Sequence, residues 1–189
     1  MTGSLTRREF AAFAGAAAIA SPALAQDAAL LTRAIPSTGE ALPAVGLGTA
    51  YVFDKDGDKA GPVIQALLAS GGRLIDTAST YGTAESVLGG ALTAGLRDKV
   101  FLATKLEAPD ASELKRSLTF LKTPKVDLLQ LHNVRSANQS LAQFKAWKAD
   151  GTCRYIGVTS TFHNDFAALE ATVRRPARSP RCRRSRRCR

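Results

Sequence analysis

Residues 69–92 read ASGGRLIDTASTYGTAESVLGGAL, and this stretch decides the fold. The glycine pair Gly71-Gly72 is a helix stop, because glycine enters the left-handed conformation that ends helices without steric cost. Arg73-Leu74-Ile75-Asp76 follows as a short strand whose apolar run closes on a carboxylate. From Thr83 to Gly95 the pattern is helical again. Helix end, strand, loop and helix therefore lie within one short segment.

The same unit repeats in both directions. Pro62–Ser70 is the helix before it. Downstream, Lys99–Thr104 (KVFLAT) is a strand and Asp110–Lys122 a helix. Asp110 as N-cap with Glu113 three residues on forms a capping-box pattern. Val126–Leu131 is a strand, Ser140–Ala149 a helix, Arg154–Val158 a strand and Asn164–Val173 a last helix. Ahead of the repeat, Leu31–Gly48 holds a Ser-Thr-Gly-Glu turn between two short extended runs and reads as a β-hairpin.

Strands alternating with helices through short links imply parallel strands joined by right-handed crossovers, an α/β fold. The apolar strands are those of a sheet buried on both faces. No G-x-G-x-x-G follows the first strand, which argues against a dinucleotide-binding doubly wound sheet. The alternative is a (β/α)8 TIM barrel, which takes about 250 residues. Residues 26–173 supply four clear strands, so the expected architecture is a partial barrel of four to five βα units.

The two ends read differently. Thr6-Arg7-Arg8-Glu9-Phe10, an apolar run Ala11–Ala20 and Ser21-Pro22-Ala23-Leu24-Ala25 form a twin-arginine secretory signal over 1–25, with cleavage after Ala25 and a periplasmic or otherwise exported product. The competing reading is an ordinary amphipathic helix. Residues 174–189, RRPARSPRCRRSRRCR, hold nine arginines and no acid. They fit out-of-frame translation, a low-complexity tail, or a basic arm for nucleic acid or lipid. Cys182 and Cys188 lie there without a histidine at zinc spacing, so a metal site is not supported. Cys153 is left as a buried thiol.

That tail explains the formal net charge of +10. Residues 26–173 carry 15 basic and 15 acidic side chains, so the body has no net charge to attract a polyanion.

Polar residues stand where each strand gives out: Asp76, Lys105, His132 and the pair Thr159-Ser160. Asp76 to Lys105, Lys105 to His132 and His132 to Ser160 are steps of 29, 27 and 28 residues, one βα unit each. In a barrel all of them fall on the C-terminal rim, where active sites of this architecture are built. Tyr81 follows Asp76 on the loop above that rim. Singly, Asp76 reads as a cap, Lys105 as a snorkelling strand end and His132 as a satisfied core histidine. Jointly they need another reason, since charges on apolar strands are costly unless paired.

The segments GLGT (Gly46–Thr49), ASGGRLIDTASTYGTAESVLGGAL, VFLATK, DLLQLHN and IGVTS resemble the aldo/keto reductase superfamily, from about Ile35 to Val173. The resemblance implies a (β/α)8 barrel oxidoreductase that uses NADPH, occasionally NADH, without metal, on a small carbonyl substrate. It implies Asp76, Tyr81, Lys105 and His132 as the catalytic tetrad. Tyr81 would give the proton, Lys105 would stabilise the phenolate, Asp76 would hold Lys105, and His132 would orient the carbonyl. Thr159 and Ser160 would hold the nicotinamide carboxamide, with Ser160 standing where the family commonly has Asn, and Thr49 would approach the cofactor. The family's sixth to eighth units, which grip the rest of the cofactor, have no counterpart in the sequence. The resemblance therefore also implies a truncated chain with impaired activity, or an inert half-barrel that self-associates through open barrel edges.

Overall fold

A computed structural model of the chain describes residues 30–55, 57–135, 140–161 and 166–174. The segment read as an export signal and nearly all of the Arg-rich tail lie outside these residues. Strands β1 (Thr32–Ala34) and β2 (Ala41–Pro43) pair antiparallel, with Thr32 opposite Pro43, and form the expected hairpin. Its turn places Gly39 at φ +75°, where a side chain would be strained.

The rest of the sheet is parallel. Strands β3 (Leu47–Gly48), β4 (Leu74–Asp76), β5 (Phe101–Leu106), β6 (Val126–Leu131) and β7 (Cys153–Val158) line up in chain order. Helices α1 (Ala60–Ala69), α2 (Ala84–Ala91), α3 (Ala94–Arg97), α4 (Ala111–Phe120), α5 (Ala142–Ala149) and α6 (Phe166–Arg174) alternate with them. This is the βα order of a TIM barrel, in part. The sheet has five strands, because two-residue β3 pairs with β4 through Leu47 opposite Ile75. A strand that short has no apolar run to announce it.

The core lies between the sheet and the helices on its outside. Every residue of β5 is buried, as its unbroken run FLATKL requires in a two-sided sheet. Ile64 of α1, Leu88 of α2, Leu114 of α4, and Phe144 and Trp147 of α5 pack against Ile75, Leu102 and Leu129. Burying each such side chain contributes roughly 1.5–3 kcal/mol. Strand β7 is covered less, with Ile156 and Val158 only partly buried at the edge of the described sheet.

Three local expectations are revised. The helix read as Thr83–Gly95 breaks at Leu92-Thr93 into α2 and α3; Gly89-Gly90 weakens its end, and Leu92 turns inward to 6% exposure. The capping box is half formed. Asp110 accepts from the Ser112 amide at 2.8 Å, but the Asp110 amide is already bonded to the Ala108 carbonyl. The Glu113 carboxylate therefore reaches the preceding loop, accepting from the Glu107 and Ala108 amides and from Ser79 Oγ at 2.6 Å. The strand read as ending at Thr104 continues through Lys105 to Leu106.

Polar ties fasten the hairpin to the starts of the strands. The Glu40 carboxylate accepts from Tyr155 OH at 2.7 Å, from Arg154 at 2.5 Å and from Arg73 at 3.4 Å. The Tyr155 hydrogen bond, then Arg154, hold Glu40 below the usual carboxylate range despite some desolvation. Asp127 at the start of β6 bridges Arg97 and Arg154 and accepts from the Leu102 amide at 2.9 Å.

Candidate active site

Parallel strands bring Asp76, Lys105 and Gln130 side by side, because β4, β5 and β6 all run the same way. Lys105 lies opposite Gln130, and Asp76 opposite Ala103. The Lys105 side chain is 7% exposed, and its ammonium uses all three donors. It gives one to Asp76 Oδ2 at 2.5 Å, one to the Thr77 carbonyl at 2.9 Å and one to Tyr81 OH at 3.3 Å. A buried ammonium is tolerated only when it is paired and hydrogen-bonded in this way. The Nζ also sits 4.8 Å from the centre of the Tyr81 ring.

His132 closes the group from the end of β6. Its ring meets the Tyr81 ring edge-on, with centres 5.9 Å apart at 79°. Asp76, Lys105 and His132, read from the strand ends, and Tyr81, read from the loop above them, are therefore one cluster, with the phenol between ammonium and imidazole. Three more residues belong to it. Glu107 Oε1 lies 2.6 Å from His132 Nδ1, Thr80 Oγ1 3.5 Å from the same nitrogen, and Gln130 Nε2 3.5 Å from Asp76 Oδ1. Of these only Gln130 leaves a trace in the sequence, as a polar residue within the apolar run VDLLQL.

A second tie supports Tyr81. Glu85, in the first turn of the helix that follows Tyr81, is 3% exposed and accepts from Thr104 Oγ1 at 2.7 Å. Thr104 adjoins Lys105, so the bond fastens the tyrosine's helix to the lysine's strand. Burial pushes the Glu85 carboxyl above its usual range, partly offset by the hydrogen bond.

Thr49 is fully buried, and its hydroxyl donates to the Asp76 carbonyl at 3.2 Å, which holds the strand carrying Asp76. Thr159 Oγ1 accepts from the Asn133 amide at 3.1 Å, and Thr161 Oγ1 donates to Asn133 Oδ1 at 3.2 Å. Ser160 stands between the two threonines. Amide and hydroxyl groups of this kind are what the neutral carboxamide of a nicotinamide pairs with, so the rim fits that end of a cofactor. Among the described residues no three His, Cys, Asp or Glu side chains cluster as metal ligands.

A recess of about 720 Å³ opens elsewhere, lined by Arg73, Arg97, Asp127 and Arg154 near the strand starts. It is remote from the tetrad, and these three guanidiniums are bonded to Glu40, Asp127 or backbone carbonyls.

Comparisons with known proteins agree with this fold. The model of the Aldo/keto reductase family matches residues 44–174. An aldo-keto reductase of Mycolicibacterium smegmatis is 32% identical over 140 residues, covering 68% of this chain and 48% of that protein. Morphine 6-dehydrogenase of Pseudomonas putida is 32% identical over 146 residues, covering 71% and 48%. Among solved structures, an aldo-keto reductase from Klebsiella pneumoniae in complex with NADPH superposes with a TM-score of 0.63 at 28% identity, covering 76% of this chain and 55% of that one. The chain spans about half the length of the curated relatives it matches. From residue 44 to residue 174, this chain belongs to the aldo/keto reductase family.

Proposed function

We propose that the rim reduces an aldehyde or ketone to an alcohol with NADPH, with Tyr81 as proton donor. The observation that carries this reading is the Lys105 ammonium joining Asp76 Oδ2 and Tyr81 OH in one buried cluster. A bound NADPH supplies the hydride that goes to the carbonyl carbon. Tyr81 OH gives its proton to the oxygen as alkoxide character develops there. The ammonium 3.3 Å away stabilises the phenolate left behind. Asp76 holds the ammonium in place. His132 walls the space beside the phenol and hydrogen-bonds the carbonyl. Asn133, Thr159 and Ser160 orient the nicotinamide carboxamide, and Thr49 steadies the neighbouring strand.

The relatives are about twice as long as the matched segment, so we read turnover by this chain alone as impaired relative to theirs. A purified chain that makes alcohol from NADPH and simple aldehydes in a Tyr81-dependent way supports the proposal; turnover unchanged in Tyr81→Phe refutes it. The second reading, an inert half-barrel that self-associates, draws on β3 and β7, each of which has a single strand partner in the described sheet. A concentration-dependent dimer in sedimentation that binds no NADPH would favour it.

We also read residues 1–25 as a twin-arginine signal. Fusing 1–25 to a folded fluorescent reporter tests export. Periplasmic signal lost with Arg7→Lys/Arg8→Lys supports it, and a cytoplasmic reporter refutes it.

A further inference from the structure

The tetrad reading assigns His132 a hydrogen bond to the carbonyl but does not say which ring nitrogen makes it or what fixes the ring. A neutral imidazole has one donor nitrogen and one acceptor, and the partner of the first decides the role of the second. His132 Nδ1 has a carboxylate oxygen, Glu107 Oε1, at 2.6 Å and a hydroxyl, Thr80 Oγ1, at 3.5 Å. An ionised carboxylate only accepts, so the short contact requires a proton on Nδ1. Both of these contacts are made at Nδ1.

Glu107 is itself held. Its amide, and that of Ala108, donate to the Glu113 carboxylate, which also accepts from Ser79 Oγ on the loop leading to Tyr81. A chain of contacts thus runs from α4 through the loop after β5 to the imidazole. Side chains that fix a functional histidine by taking its other ring proton set its tautomer and orientation.

On the reductase reading, we infer that Glu107 is a positioning residue that holds His132 with Nδ1 protonated. The neutral ring then offers a lone pair at Nε2 to the reacting space. A hydrogen bond donated from Nε2 to a carbonyl oxygen therefore requires the doubly protonated ring, as an imidazolium–carboxylate pair with Glu107.

Two-bond ¹H–¹⁵N spectra of the full chain distinguish the tautomers, and His163→Gln assigns the signals of the two histidines. At about pH 9, above the ordinary histidine range, the expected His132 pattern is a pyrrole-type Nδ1 and a pyridine-type Nε2. Glu107→Gln, whose amide oxygen accepts the same bond, keeps that pattern. Glu107→Ala moves the proton to Nε2. A pyrrole-type Nε2 in the unaltered chain overturns the inference, even if the alanine variant fails to fold. An unchanged Nδ1–H in a folded Glu107→Ala chain overturns it equally. The spectra need neither NADPH nor turnover, so failure of the reductase proposal and failure of this inference appear in different experiments.

Discussion

Gly89 and Gly90 are adjacent in α2, yet alanine at the two positions should change stability in opposite directions. A Cβ on Gly89 would lie 2.0 Å from the Phe120 carbonyl oxygen, 2.7 Å from the Leu121 carbonyl carbon and 2.9 Å from its Cα. These are backbone atoms at the end of α4, which cannot rotate away. The shortest contact falls about 1.4 Å inside the 3.4 Å at which ordinary packing begins, so α2 and α4 must part locally. Parting them loosens the packing around Leu88, Leu114 and Leu121, all almost fully buried. Overpacking of this kind costs about 1–3 kcal/mol, offset in part by about 0.5–1 kcal/mol of helix propensity gained over glycine. With a backbone contact as short as 2.0 Å the cost falls in the upper half of that range, about 2–3 kcal/mol, and the expected net loss for Gly89→Ala is about 1–2 kcal/mol. A Cβ on Gly90 meets nothing within 4 Å, so Gly90→Ala keeps only the propensity gain of about 0.5–1 kcal/mol. Urea unfolding followed by circular dichroism reads both. With a slope of roughly 2 kcal/mol/M, the Gly89 variant should lose about 0.5–1 M in midpoint and the Gly90 variant should gain about 0.25–0.5 M. Equal midpoints, or a stabilised Gly89→Ala, would refute the α2–α4 packing.

Other perturbations probe other parts of the molecule. Glu85 is raised above its unfolded value by burial, so the native state binds the extra proton and stability falls as pH rises from 4.5 through the folded pKa. Glu85→Gln should flatten that slope in pH-dependent urea unfolding. Glu40 is lowered, so its contribution is present above the unfolded pKa and is lost as pH falls through the folded one. Tyr155→Phe should cost about 1 kcal/mol at neutral pH and much less in acid, as measured by thermal unfolding. The Cys153 thiol is pushed up to about 11, chiefly by burial. In a Cys182→Ser/Cys188→Ser background it should therefore react slowly with a thiol reagent at about pH 8 and fast once urea unfolds the chain.

The repeat was legible because strand and helix differ in period and glycines punctuate them. Spacing alone placed Asp76, Lys105 and His132 on one rim, since parallel strands convert a repeat length into a shared edge. What stayed hidden depends on contacts between units. Strand β3 is two residues long and exists by pairing with β4, so only the family likeness of GLGT, Gly46–Thr49, points to it. Glu113 looked like half of a capping box, but competition from the Ala108 carbonyl for the Asp110 amide redirected it. Glu107 carries no sequence signal, because only the return of β6 alongside β5 brings His132 to it.

We propose Tyr81, set by Lys105, as the proton donor in carbonyl reduction. Mass-spectrometric detection of alcohol formed from NADPH and an aldehyde, by the chain and by Tyr81→Phe, tests it most directly. The expected result is measurable alcohol from the chain and a loss of about 10²–10⁴-fold in the variant, the usual contribution of a positioned proton donor. Equal formation by both, or none by the chain, would contradict it.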